Sequence, residues 1–495
     1  MRGTPPTPAA ASQGGAAAPW RRRTGLVAWL AAVVVVVLAA VGLVISRPGP
    51  VGRLLTRAPA TTTAPTVRPT EPTPGPVLVG LSADAPTPTA AGLRAAIDTF
   101  VGDPALGGRV DMSVRDMVTG DALYDHGGAV GTIPASTTKL TTAAAALAAR
   151  GQAYTITTRV VAGAGPGEVV IVGAGDPTLS AGKNPFYPGA ARLDVLAAQV
   201  RTALGAARPT TVIVDGTLYD GPVYEPGWDS DIPTSGFAAP ATALMIDGGR
   251  LTAKGAPGYA KRSSRPDLAA GRAFAKALGL PASAVATGKA PGATAATASP
   301  APPGPGTTLG SVASPPMIRL VEFMLRDSDN VLAEALDRQV ALARNEPASF
   351  AGAAKAVTAL LGELGLDTTG LVLADGSGLS RTNRIPPALL TALLAKAAGT
   401  DHPELSGIFA GLPVAAWSGT LGDRFQASGA KGAAGAVRAK TGTLTGVHAM
   451  AGVVTTADGR ALSFAILTDR VTGPDDAAQQ GIDRIAATLA GCGCR

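Results

Sequence analysis

Between residues 90 and 102 the apolar side chains Leu93, Ala96, Ile97, Phe100 and Val101 recur at helical spacing, which predicts an amphipathic helix with one buried face. The period then changes. Val110-Asp-Met-Ser-Val114 alternates, Thr119-Gly120 reads as a turn and Ala122-Leu-Tyr124 returns, so a strand pair is expected. A second helix is predicted from Ser136 to Arg150, where small apolar residues run without a break. Near the other end Val437 to Leu444, Val447 to Thr456 and Ala461 to Thr468 read as three strands, the last two joined through Asp458-Gly459. A helix is predicted from Asp475 to Ala490. Elements from both ends of the chain would then share one antiparallel sheet with its helices, split in the sequence by an insertion.

Within that insertion Thr155 to Val161, Glu168 to Val172 and Thr211 to Val214 read as strands, with a helix near Ala191 to Leu204. Residues 281–306 are almost wholly Ala, Pro, Gly, Ser and Thr, the composition of a flexible loop or a strand-poor edge. The expected division is 79–150 and 309–495 as two parts of one domain, with 151–308 as an inserted domain. The sequence shows no repeat of solenoid period.

Ahead of the folded body, Leu26 to Ile45 is a run of twenty residues without a charge, long enough to cross a hydrocarbon layer as a helix. Arg21-Arg22-Arg23 precede it and no small-x-small cleavage site follows, which favours an uncleaved transmembrane anchor over 26–46 with the N-terminus inside. Residues 1–25 read as a disordered tail, and 47–78, rich in Thr and Pro, as a semi-extended spacer.

Composition narrows the picture further. A chain of 495 residues, 46% apolar, can bury two or more cores. The +7 net charge suggests a polyanionic partner only until it is located: residues 1–70 hold eight arginines and no acidic residue, so the body is nearly neutral. No nucleic-acid partner is expected. The two cysteines, Cys492 and Cys494, would close almost no loop if bridged, and free thiols are expected. His126, His402 and His448 are far apart, without metal-ligand spacing, although His448 falls close to a strand that carries a motif.

Candidate chemistry begins with Ser136-Thr-Thr-Lys139. A serine hydroxyl is a poor nucleophile near neutral pH, and a lysine three positions on shares its helix face and can act as base if burial lowers its pKa. Unpaired amides at a helix start also favour developing negative charge. The pattern occurs three times, at Ser136, at Ser180-Ala-Gly-Lys183 and at Ser428-Gly-Ala-Lys431. The last two carry a glycine between the partners and lead into no long apolar run, so Ser136 ranks first. Ser328-Asp329-Asn330 and Lys440-Thr441-Gly442-Thr443 follow, each the only example of its pattern in the chain. The three motifs in this order are those of penicillin-binding proteins and class A β-lactamases.

Longer segments resemble the class C low-molecular-mass penicillin-binding proteins, D-alanyl-D-alanine carboxypeptidases and endopeptidases, over roughly residues 85 to 490. They are Pro134 to Leu140, Gly175-Asp-Pro-Thr-Leu179, Arg326 to Leu336, Asp375-Gly-Ser-Gly-Leu-Ser-Arg381 and Lys440 to Gly446. The 192 residues that separate Ser136 from Ser328 leave room for the inserted domain of that family. The resemblance implies an α/β (α+β) penicillin-binding/β-lactamase-like transpeptidase fold, an outward-facing enzyme anchored in the cell membrane, and peptidoglycan stem peptides and β-lactam antibiotics as partners. It implies Ser136 as nucleophile, Lys139 as base, Ser328 as proton relay and Asn330 as a ligand of both substrate and Lys139. Lys440 would stabilise charge, and Thr441 and Thr443, with Gly442 between them, would hold the terminal carboxylate. No metal or organic cofactor is implied. Two other readings share the fold: a β-lactamase, against which stands the lack of a Glu-x-x-Leu-Asn between 140 and 330, and an idle wall-binding protein, against which stands the intact set Ser136, Lys139, Ser328 and Lys440.

Overall fold

The computed structural model describes residues 84–254, 259–292 and 303–494. The expected anchor and spacer lie outside the described residues, and no helix among the described residues is long and apolar enough to cross a membrane.

Strands from both ends of the chain do meet in one sheet. Arg109–Asp116 (β1) and Ala122–His126 (β2) join Val437–Leu444 (β8), Val447–Thr455 (β9) and Ala461–Asp469 (β10) in the order β2-β1-β10-β9-β8, all neighbours antiparallel. Helices Ala90–Val101 (α1) and Asp475–Ala490 (α9) cover one face. Leu93, Ile97, Ile482, Ile485 and Leu489 pack there on Met112, Val114, Met450, Phe464 and Ile466. Thr89 caps α1, its hydroxyl accepting the Gly92 N–H, so the apolar period starts where the unpaired amides are satisfied.

The opposite face of the sheet packs on a helical layer built from Lys139–Arg150 (α2), Met317–Arg326 (α5), Asn330–Ala343 (α6), Phe350–Glu363 (α7) and Pro387–Ala398 (α8). Ala143 to Ala146 of α2 are fully buried. Side chains this small on every face let helices close in from several sides at once, which places α2 at the centre of the layer.

A second sheet is built from the insertion and the residues just past its expected end at 308: Thr157–Ala162 (β3), Glu168–Val172 (β4), Thr211–Asp215 (β5), Val285–Thr287 (β6) and Thr308–Ala313 (β7), in the order β6-β5-β4-β3-β7, so that the strand 308–313 belongs to this sheet. β4, β5 and β6 run parallel, and helices Leu193–Leu204 (α3) and Pro266–Leu278 (α4) form the crossovers that parallel neighbours require. Leu193, Leu196, Val200 and Phe274 bury the helices on this sheet. Of the Ala/Pro/Gly-rich stretch 281–306, the described part supplies the three-residue edge strand β6.

Two expectations change. The α-helix expected from Ser136 begins at Lys139, and residues Ala135–Thr138 form a 3-10 turn instead. Cys492 and Cys494 are paired in a disulfide, with Cα atoms 5.0 Å apart, rather than free. The tail is docked, since Cys494 O accepts the Thr89 N–H at 2.7 Å. Gly92 makes that approach possible, because a Cβ there would lie 2.6 Å from the Cys494 carbonyl carbon.

Candidate active site

The three motifs converge where α2, α6 and the edge strand β8 meet. Ser136 sits in the 3-10 turn, just after Ala135, whose φ of +46° is unusual for a residue with a Cβ. Hydrogen bonds from Thr137 Oγ1 to Pro134 O (2.7 Å) and from Thr138 Oγ1 to Ala135 O (2.9 Å) tie the turn to its own backbone. β8 presses on it from the side. A Cβ on Gly442 would lie 2.8 Å from Pro134 O and 3.0 Å from Ser136 N, so only glycine allows the strand this close to the serine.

Lys139, the first residue of α2, is fully buried. Its Nζ is 2.9 Å from Ser136 Oγ, 2.6 Å from Asn330 Oδ1 and 2.6 Å from the Ser377 carbonyl. Burial lowers its pKa to about 8, against the carboxylates of Asp375, Glu334 and Asp329, which favour the charged form. The charges nearest Lys139 are acidic and so oppose the effect of burial. Lys440, also fully buried, is itself pushed well below the usual lysine value, by burial first and by the Lys139 charge second. Its Nζ donates to Thr441 O at 2.6 Å.

Ser328 occupies the bend between α5 and α6 with φ +54°, and its hydroxyl has no hydrogen-bond partner within the described part of the chain. The next residue fixes the bend: Asp329 caps α6 by accepting the Val331 and Leu332 N–H groups, while its other oxygen accepts the Tyr187 hydroxyl at 2.7 Å. Asn330 therefore starts α6 with its oxygen on Lys139, and its Nδ2 donates to Phe237 O of the insertion at 3.1 Å. On β8, Thr441 Oγ1 is 2.7 Å from Thr420 Oγ1 and Thr443 is exposed. The eight residues named from the sequence thus lie on α2, α6 and β8 or on the turns that lead into the two helices. The other two Ser-x-x-Lys pairs form no such contact: Lys183 is exposed, as are both Ser428 and Lys431.

Two polar groups that sequence reasoning assigned no role complete the site. Glu334, 5% exposed, accepts the Ser377 N–H at 2.9 Å, and the Ser377 carbonyl in turn holds Lys139. Burial and the neighbouring Asp375 raise the Glu334 pKa to about 7 even though Arg338 lies 3.2 Å away. Asp375 accepts hydrogen bonds from Gly378 N, Ser380 N, Asn383 Nδ2 and Trp228 Nε1, all at 2.7 to 2.8 Å, and so shapes the loop that carries Ser377. A sequence signal existed: Asn330, Glu334 and Arg338 fall four residues apart, a polar stripe along one side of a helix that also carries Asp337 and Gln339.

Because the Glu334 anion favours protonated Lys139, its removal in Glu334→Gln is expected to shift the acidic limb of the acylation profile to lower pH by about one unit. The glutamine oxygen can still accept the Ser377 N–H. Second-order acylation rates measured between pH 5 and 9, roughly spanning both groups, check this, and a limb that stays in place counts against it.

His448 pairs across the sheet with Thr443 through the strand backbone, while its ring Nε2 lies 3.1 Å from Asp475 Oδ1. No set of three or more His, Cys, Asp or Glu side chains among the described residues is placed to hold a metal.

A family model described as the D-Ala-D-Ala carboxypeptidase 3 (S13) family matches residues 93–277 and 256–490. The chain is 42% identical over 437 residues to a carboxypeptidase of Mycobacterium tuberculosis, covering 87% of this chain and 90% of that one. It is 40% identical over 482 residues to carboxypeptidase DacB of Mycolicibacterium smegmatis, covering 96% and 98%. Among solved structures it resembles penicillin-binding protein 4 of Haemophilus influenzae with a TM-score of 0.62 at 22% identity, over 80% of this chain and 97% of that one, a likeness of fold.

Proposed function

The chain belongs to the D-Ala-D-Ala carboxypeptidase 3 (S13) family and is a serine-type D-alanyl-D-alanine carboxypeptidase, and we propose that Ser136 is the nucleophile with which it trims peptidoglycan stem peptides. The observation that carries the assignment is the buried Lys139 amine, 2.9 Å from Ser136 Oγ.

In this reading Ser136 Oγ attacks the carbonyl carbon of the penultimate D-alanine while neutral Lys139 takes the hydroxyl proton. The oxyanion is met by the backbone N–H groups of Ser136 and Thr443. The C–N bond breaks, Ser328 passes the proton to the departing amine, and D-alanine leaves a Ser136 ester that water then hydrolyses. Thr441 and Thr443 hydroxyls hold the substrate's terminal carboxylate. That anion also favours the ammonium form of Lys440, which burial alone disfavours. Substrate binding and charging of Lys440 are therefore linked. A β-lactam follows the first step only, since its opened amine stays tethered to the acyl group and blocks the path of water. The reading is tested by incubating the protein with penicillin and with a D-Ala-D-Ala pentapeptide. A stable mass increase by one penicillin and release of D-alanine are expected, and rapid turnover of penicillin would favour a β-lactamase.

We further propose that residues 26–46 anchor the protein in the cell membrane, with the body outside. The support is the uncharged run behind Arg21-Arg22-Arg23 and the location of the substrate. Protease added to spheroplasts is expected to digest the body beyond residue 47 while the native protein retains its N-terminal segment. An N-terminus mapping to residues 40–60 would show a cleaved signal instead.

A further inference from the structure

Tyr187 lies in the insertion, outside every motif read from the sequence, yet its hydroxyl reaches the middle residue of Ser328-Asp329-Asn330. It donates to Asp329 Oδ2 at 2.7 Å, across 142 positions of the chain. The residue is 3% exposed, and its ring packs edge-on against Phe186, with centroids 4.8 Å apart, and against Phe323 of α5 at 6.2 Å. The ring thus touches the helix that leads into Ser328, while the hydroxyl holds the cap of the helix that follows it.

The insertion is shaped to allow this approach. A Cβ on Gly248 would lie 2.6 Å from the Tyr187 hydroxyl and 3.1 Å from Arg262 Nη1, so glycine leaves room where the two groups meet. Arg262 Nη1 donates to Gly248 O at 2.8 Å, which keeps the guanidinium beside that hydroxyl and the Asp329 charge. Burial first, and the Asp329 carboxylate second, raise the Tyr187 pKa well above the usual tyrosine value. The hydroxyl therefore keeps its proton and stays a donor.

What it supports is an unfavourable backbone. Ser328 has φ +54°, a left-handed conformation that a residue with a Cβ keeps only where its surroundings over-determine it. Asp329 does the holding. Its N–H donates to Met324 O at 3.1 Å, and Oδ1 accepts Val331 N and Leu332 N at 2.9 and 3.0 Å. These contacts fix one carboxylate oxygen; Tyr187 fixes the other. Asn330 has separate ties, to Lys139 and to Phe237 O. Loss of the Tyr187 hydroxyl would leave Asp329 Oδ2 one donor short in a buried place, and the bend that turns with it is the one that carries Ser328.

Resting on the relay role proposed above for Ser328, we infer that Tyr187 is a positioning residue: through Asp329 it holds the Ser328 hydroxyl where it can pass a proton to the departing amine. The insertion thereby takes part in acylation. The effect depends on the leaving group. When an amide is cleaved, the C–N bond breaks as Ser328 relays to nitrogen the proton that Lys139 took from Ser136. A thioester sulfur departs as a thiolate, and the proton stays on Lys139.

The test compares kcat/KM of the full-length protein on a D-Ala-D-Ala pentapeptide and on a thioester with the same acyl half. Tyr187→Phe keeps the ring and is expected to lower the amide value about tenfold while the thioester value stays within about twofold. Ser328→Ala is the reference and should lose far more on the amide than on the thioester. Combining the two substitutions should be no worse on the amide than Ser328→Ala alone, because a residue that acts only through Ser328 then has nothing left to position. Equal losses on both substrates, an amide loss that adds in full to that of Ser328→Ala, or a Tyr187→Phe protein as fast as wild type each overturn the positioning role. If Ser328→Ala itself slows both substrates alike, the relay assignment falls, and the inference with it.

Discussion

Ser136→Ala is expected to abolish covalent labelling by penicillin and to lower D-alanine release at least about a thousandfold, because no other hydroxyl occupies the position from which the ester must form. The geometry makes the prediction selective. Lys139 Nζ is 2.9 Å from Ser136 Oγ, whereas Lys183 and Lys431 are exposed to water and keep no base next to Ser180 or Ser428. Ser180→Ala and Ser428→Ala should therefore label and hydrolyse within about twofold of wild type. Intact mass after incubation with penicillin reads the first effect, and D-alanine release from a pentapeptide the second. The variant removes one oxygen beside a close-packed turn, so its thermal midpoint should stay near that of wild type. Labelling that persists in Ser136→Ala would sink the assignment.

Lys139→Arg should be nearly as damaging, with a loss of acylation of about a hundredfold to a thousandfold, for a reason that is electrostatic rather than steric. At a pKa of about 8 roughly a tenth of Lys139 is neutral at pH 7, against about three parts in ten thousand for an ordinary lysine. Arginine stays charged throughout and cannot accept the Ser136 proton. Wild-type acylation should rise with pH through about 8 as Lys139 loses its proton. The arginine variant should be slow and lack that rise, while still binding a non-acylating ligand. Acylation within about tenfold of wild type at every pH would make Lys139 a structural cation and route the proton through Ser328 and Lys440.

The periodicities along the chain by themselves decide much of this protein. The strand β8 runs over the residues predicted for it, Val437–Leu444, as does the helix Asp475–Ala490, because each is long, uniform in period and bounded by turn residues. The catalytic motifs were legible for a similar reason: Ser136 and Lys139 are close in sequence, so local backbone geometry alone nearly brings them together.

Contacts across long sequence separations had no such local signature. The shift of the α-helix start from Ser136 to Lys139 comes with the approach of Gly442, some three hundred residues away, to the backbone of that turn. Ser377 reaches Lys139 only because Asp375 shapes its loop and Glu334 anchors its N–H, and nothing in the spacing of 139, 334 and 377 announces that meeting. The sign of the charge around Lys139 was set in the same way, by carboxylates gathered from α6 and the 375–383 loop. The docked tail belongs with these cases, since its Cys494 carbonyl is held by the Thr89 N–H at the other end of the folded body. Local pattern therefore determined the elements and the reacting pair. Burial, which lowers the base's pKa, and the long-range hydrogen bonds that aim it exist only once the helical layer closes on the sheet, because desolvation is a property of the packed interior and not of any segment.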